Sequence, residues 1–145
     1  MEENNTTTPQ TPETVEQKPT KSRAKKTKRH VPVAELHIQA TFNNTIITVT
    51  DKTGSALVAS SAGSNGFRGS KKGTAYAAQI AAEKALEIAK RDFNVNSVDV
   101  FVKGIGLGRD SAIRATSANS ISINSIVDVT PVKHGGCRAK KERKP

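Results

Sequence analysis

The segment TAYAAQIAAEKALEIAKRD, Thr74–Asp92, constrains the fold more than any other part of the chain. Its apolar residues recur at helical spacing, and Thr74 is the right residue type to cap the start. Ala78, Ala82, Ala85 and Ala89 share one face, flanked by Ala75, Ala81 and Leu86, while Gln79, Glu83, Glu87 and Lys90 lie opposite. A face of methyl groups lets a helix axis approach closely whatever it covers, which favours packing on a sheet. Glu87 and Arg91 are ordered for an i,i+4 ion pair.

Strands surround this helix. In ELHIQAT, Leu36, Ile38 and Ala40 alternate with His37, Gln39 and Thr41. FNNT (Phe42–Thr45) supplies turn residues, IITVT (Ile46–Thr50) is β-branched throughout, and DKTG precedes a third strand in SALVASSAG. Three short strands with tight turns read as an antiparallel meander. After the helix, SVDVFVKG places Val98, Val100 and Val102 on one side and Phe101 on the other. A short helix, Asp110–Asn119, and a last strand, Ile121–Thr130, follow. The order βββ-α-β-α-β predicts an α/β fold, a mixed five-stranded sheet with helices packed on it.

The 145 residues suffice for one domain, and their 23 Lys+Arg against 13 Asp+Glu are unevenly placed. Residues 1–20 hold one base and four acids, residues 21–30 six bases and no acid, and residues 101–145 nine bases and three acids. The stretch between is nearly neutral. This predicts a disordered extension with a basic arm over 1–30, a globular body over 31–131, and a basic tail over 132–145. Lys25, Lys26, Lys28 and Arg29 make the arm a ligand for a polyanion, and nucleic acid is the obvious one. A membrane surface is disfavoured, because there is no Trp and no basic amphipathic helix. No apolar run reaches membrane-spanning length, the N-terminus has no secretory core, and the single Cys137 excludes an internal disulfide. A cytoplasmic protein is expected.

Two glycine-rich runs carry the chemistry. VKGIGLGRDSAIRA (Val102–Ala115) feeds the short helix. It fails the dinucleotide fingerprint, because Arg109 occupies the third glycine slot and the run follows a late strand. A triphosphate-binding loop needs Gly-Lys, which occurs nowhere in the chain. Two readings of the run stand level. Its glycines and helix start cradle a nucleic-acid phosphate beside Arg109 and Arg114, or they make a tight turn with no ligand. GSNGFRGSKKG (Gly63–Gly73), with Arg68, Lys71 and Lys72, repeats the arrangement and strengthens the first reading. His30, His37, His134 and Cys137 fit no zinc spacing, so neither metal nor cofactor is implied. A weaker alternative is a metal-dependent nuclease, with Asp51, Asp99 and Asp128 meeting on the sheet.

ATFNNTIITVTD, AGSNGFRGSKKGTAYAAQIAAEKA, VKGIGLGRDSAIRA and DVTPVKHGGCR together resemble the bacterial family of small-subunit ribosomal protein eleven. The resemblance runs in order from about Val33 to Lys144. It implies a non-enzymatic, ribonuclease H-like fold on the platform of the small ribosomal subunit. There the family bridges helices of 16S rRNA and lines the cleft holding the Shine–Dalgarno duplex of mRNA. Small-subunit proteins seven and eighteen and initiation factor three are the implied protein partners. Transferred by motif, the RNA-facing positions are Asn43 and Asn44, then Arg68, Ser70, Lys71 and Lys72, then Lys103, Gly104, Gly106, Gly108, Arg109 and Arg114. In the tail they are His134, Arg138, Lys140, Lys141, Arg143 and Lys144. Three features depart from the family pattern. Ile105 and Leu107 stand where prolines are usual, Gly135-Gly136 stands where Asn-Gly is usual, and the acidic extension is longer.

Overall fold

The structure, a computed structural model, describes residues 29–140. The elements are β1 (Val33–Ala40), β2 (Thr45–Thr50), β3 (Ala56–Ser61), a 3₁₀ turn (Gly69–Gly73), α1 (Ala75–Phe93), β4 (Ser97–Lys103), α2 (Gly108–Ala118) and β5 (Ser122–Asp128). The expected order βββ-α-β-α-β is therefore adopted. Residues 1–28 and 141–145, with the acidic extension, Lys25, Lys26, Lys28, Lys141, Arg143 and Lys144, lie outside the described residues.

The sheet runs β3-β2-β1-β4-β5. Short turns make β1–β2 and β2–β3 antiparallel, whereas β1–β4 and β4–β5 are parallel and need helical crossovers. Alternation along the strands sends Leu36, Ile38, Ile47, Val49, Val98, Val100 and Val102 to one face. There they meet Ala81, Ala82, Ala85, Leu86 and Ala89 of α1 and Ala112 and Ala115 of α2. Each fully buried Leu, Ile or Val contributes about 1.5–3 kcal/mol. Helix α1 lies over β2 and β3, α2 lies over β1 and β5, and the two helices pack on each other. The opposite face carries Glu35, His37, Gln39, Asp99 and Phe101 and has no helix over it among the described residues. His37 and Phe101, paired across β1 and β4, stack with ring centroids 5.2 Å apart.

The details refine the sequence reading of α1. Thr74 does cap it, accepting from the Ala77 N–H at 3.3 Å. Ala75 is exposed because it is the first helical residue, and Ala77 is buried in its place. Arg91 pairs with its neighbour Asp92 at 3.3 Å rather than with Glu87. Helix α1 closes on Asn94, which is left-handed at φ 58° and donates to Ala89 O and Lys90 O. Helix α2 starts two residues before the expected Asp110, at Gly108. No helix among the described residues is long and apolar enough to cross a membrane.

Candidate nucleic-acid interface

Strand register collects the sequence motifs at one end of the sheet. Ala40 pairs with Thr45, Gln39 with Lys103, Val102 with Asp128, and Ile46 with Ser61. β1, β4 and β5 therefore finish at this end. The hairpin turn 41–44, the basic loop after β3, the glycine run after β4 and the tail after β5 all emerge there. It is also where α1 and α2 begin. Ligands of open α/β sheets gather outside such carboxyl strand ends.

The hairpin turn is the hub. Thr41 N–H donates to Asn44 O at 2.9 Å, and Thr41 Oγ1 donates to the same oxygen and accepts from the Asn44 N–H. Both glycine runs press on this turn. A Cβ at Gly73 would overlap the Phe42 carbonyl oxygen, and one at Gly104 would overlap that of Ala40. At Gly106 the obstruction is the Thr41 carbonyl, and at Gly108 it is the Thr45 hydroxyl and the Ala78 methyl. Gly104 also sits at φ +104°, which L side chains rarely adopt. Close approach to the end of β1 thus accounts for Gly104 and Gly106, and the start of β2 with the first turn of α1 accounts for Gly108. Their N–H groups are largely committed as well. Gly106 N–H donates to Ala40 O at 3.1 Å, and Gly104 N–H to Thr130 Oγ1 at 3.0 Å. Of the two readings of the run, the tight turn explains these atoms.

Arg109 braces the same turn. Its guanidinium donates to Gly104 O at 2.8 Å and to the Asp128 carboxylate. Thr130 donates to the other Asp128 oxygen through both its N–H, at 2.9 Å, and its hydroxyl. Gly104, Arg109, Asp128 and Thr130 therefore close a ring of hydrogen bonds that ties the turn to the root of the tail. The two Thr130 hydrogen bonds, then Arg109, hold the Asp128 carboxyl down to about 2. The start of α2 carries its own acid, Asp110, in the first turn. Asp110 and Asp128 make this helix start less open to an anion than the sequence suggests.

The start of α1 is different. No acid occupies its first turn, and Arg68, Ser70, Lys71 and Lys72 immediately precede it. The loop before them folds on itself. Ser64 Oγ donates to Ser61 O at 2.8 Å, and Asn65 Nδ2 donates to the same oxygen at 2.9 Å. Arg68, Ser70 and Lys71 are exposed, while Lys72 is half-buried against Gly63. Among the described residues no salt bridge engages Arg68, Lys71, Lys72 or Lys103.

Asn43, Asn44, Arg68, Ser70, Lys71, Lys72, Lys103 and Arg109 thus surround one end. Arg114 is exposed one to two turns along α2. His134, Arg138 and Lys140 are exposed on the tail leaving the same end, where Lys133 Nζ donates to Cys137 O at 3.3 Å. Arg29 is not part of this group. It adjoins His30, which meets Asn94 at 3.1 Å beyond the C-terminus of α1, so the basic arm is rooted at the far end of the sheet. The nuclease alternative fails on strand direction. Asp51 follows β2 at the end where β1 starts, and Asp128 ends β5 at the opposite end. Asp99 sits about 10 Å along the strands from Asp128, at roughly 3.3 Å per residue. Among the described residues no three His, Cys, Asp or Glu side chains gather as a metal site.

Comparison with known proteins shows the family. The family model for ribosomal protein S11 matches residues 34–144. A small ribosomal subunit protein uS11 from Borreliella burgdorferi is 54% identical over 120 residues, covering 83% of this chain and 92% of the relative. The uS11 of Francisella tularensis subsp. novicida is 51% identical over 127 residues, covering 88% and 98%. That of Pseudoalteromonas atlantica is 52% identical over 126 residues, covering 87% and 96%. A match across the strands, both glycine runs and the tail means that this chain belongs to the ribosomal protein S11 family.

Proposed function

We propose that the chain is a structural, non-catalytic component of the cytoplasmic small ribosomal subunit that binds 16S rRNA through the glycine-rich end of its sheet. The observation that carries this reading is the convergence there of the hairpin turn, the basic loop, the start of α1 and the root of the tail. RNA backbone is the ligand such an end suits, since phosphate contacts position a protein without reading sequence. Arg68, Lys71, Lys72 and Lys103 supply charge, and Ser70, Asn43 and Asn44 supply hydrogen bonds. Gly104, Gly106 and Gly108 hold the turn in place, and Arg109 braces it while its remaining N–H groups face the RNA. Arg114, His134, Arg138, Lys140, Lys141, Arg143 and Lys144 extend the contact along α2 and the tail. Arg29, at the far end of the sheet, takes a second RNA segment together with Lys25, Lys26 and Lys28 of the sequence before it. With contacts at both ends the protein bridges rRNA helices, as the family resemblance implies for the platform. That resemblance also supports small-subunit proteins seven and eighteen and initiation factor three as neighbours, beside the Shine–Dalgarno cleft.

Sedimentation tests the proposal. The tagged protein is expected to travel with small subunits through a sucrose gradient and to protect 16S rRNA from hydroxyl-radical cleavage. Protection should weaken in the Lys71→Ala, Lys72→Ala double variant. A protein that stays at the top of the gradient refutes the reading.

A further inference from the structure

The basic end of the sheet is also where large apolar side chains stand most exposed. Leu107 is 74% exposed, Phe42 72%, Ile105 64% and Tyr76 63%. All four border the same turn. Phe42 is its second residue, Gly73 presses on the Phe42 backbone three residues before Tyr76, and Ile105 and Leu107 flank Gly106 on the other side. Single exposed apolar residues need no explanation, but a cluster beside Arg68, Lys71, Lys72 and Lys103 does. The Phe42 ring rises from a backbone fixed by the Thr41–Asn44 hydrogen bonds and by Gly73, so it is presented rather than loosely attached. The Tyr76 ring is held edge-to-face by Phe67, with centroids 5.9 Å apart at 84°. Continuous duplex offers such rings only sugars and phosphates. Unpaired nucleotides offer flat π faces together with the phosphates that Arg68, Lys71 and Lys72 attract.

We propose that Phe42 and Tyr76 are nucleobase-stacking side chains, so that the ligand at this end is RNA with unpaired nucleotides rather than uninterrupted duplex. Ile105 and Leu107 form an apolar wall beside the stacked bases. This inference rests on the RNA-binding reading above. The interleaved cations favour RNA over a protein partner, which would have to be acidic and apolar at once.

Two probes separate the cases. One is an RNA hairpin whose loop of unpaired nucleotides carries 2-aminopurine, and the other is a blunt RNA duplex of the same stem. The full-length protein is expected to bind both and to quench 2-aminopurine in the loop. Phe42→Ala should weaken hairpin binding about tenfold, abolish the quenching and leave duplex binding unchanged. Phe42→Trp should restore the quenching, and Tyr76→Ala should act like Phe42→Ala. The Lys71→Ala, Lys72→Ala variant should weaken both RNAs. Thermal melts matching the wild type show that each variant is folded, as the exposure of these rings leads one to expect. The stacking inference alone is overturned if the aromatic variants bind and quench the hairpin like the wild type, or if they weaken both RNAs equally. It is also overturned if they keep RNA binding but fail to enter small subunits, which would assign the patch to a protein. A wild-type protein that binds neither RNA overturns the RNA-binding reading with it.

Discussion

Gly106→Ala separates a glycine needed for packing from one needed to admit an anion. Its Cβ would overlap the Thr41 carbonyl oxygen and stand 2.7 Å from the Thr41 carbonyl carbon and 2.9 Å from that of Ala40. Carbon atoms rest about 3.5–4.0 Å apart, so the turn has to withdraw by about 1 Å. The obstructing atoms are backbone, fixed in a strand end and a hydrogen-bonded turn, and cannot rotate away. Withdrawal also lengthens the 3.1 Å bond from Gly106 N–H to Ala40 O. Overpacking costs about 1–3 kcal/mol and the weakened bond about 1 kcal/mol, so the variant should lose about 2–4 kcal/mol. At roughly 4 °C per kcal/mol for a body of this size, Tm should fall by roughly 8–16 °C without any RNA present. Gly66→Ala is the control, because Gly66 sits at φ +87° with nothing within 4 Å. Only backbone strain acts there, about 1–2 kcal/mol or roughly 4–8 °C. Circular-dichroism melts of the free proteins supply the comparison. If Gly106→Ala melts no lower than Gly66→Ala yet loses RNA affinity, the packing argument is wrong and the glycine serves the ligand.

Three further outcomes follow from the same region. Asp128, held down to about 2 by Thr130 and Arg109, contributes stability that is complete above its unfolded value of 3.8. That contribution should fade as pH falls from about 4 towards 2, and Asp128→Asn should flatten this part of a Tm-against-pH curve; parallel curves for the two proteins refute it. Thr74→Ala removes the acceptor for Ala77 N–H and the donor to Lys71 O, and should cost about 1 kcal/mol by urea titration at unchanged m, whereas Thr74→Ser should not. Arg109→Ala should lower Tm by unpinning Gly104 and should also lower the slope of log K against log salt by about one unit. A lowered Tm with an unchanged slope would show that the guanidinium is wholly committed to the brace.

The local elements were legible because their signals are local. Alternation in Leu36–Ile38–Ala40, the β-branched run Ile46–Thr50 and the alanine face of α1 each repeat at the period of one pleat or one turn, and the Thr74 cap needs only the N–H of Ala77. The start of α2 was not legible for the complementary reason. Gly108 is a poor helix former, and it is helical here because only a glycine fits between Thr45 and Ala78, residues 63 and 30 positions earlier. The same distance in sequence hid what decides the glycine run. Read along the chain, Gly104 and Gly106 suit a phosphate as well as a turn. Read across the sheet, Ala40 O and Thr41 O already occupy the space beside them. Asp128 shows it for charge, since its place at the end of a strand is consistent with a metal cluster until parallel pairing puts Arg109 and Thr130 on its oxygens and antiparallel pairing sends Asp51 to the other end. Strand direction and register, rather than residue type, therefore separate a ligand site from a clamp in this fold. The basic loop remains the stronger place to look for phosphate, because Arg68, Lys71 and Lys72 meet no salt-bridge partner among the described residues.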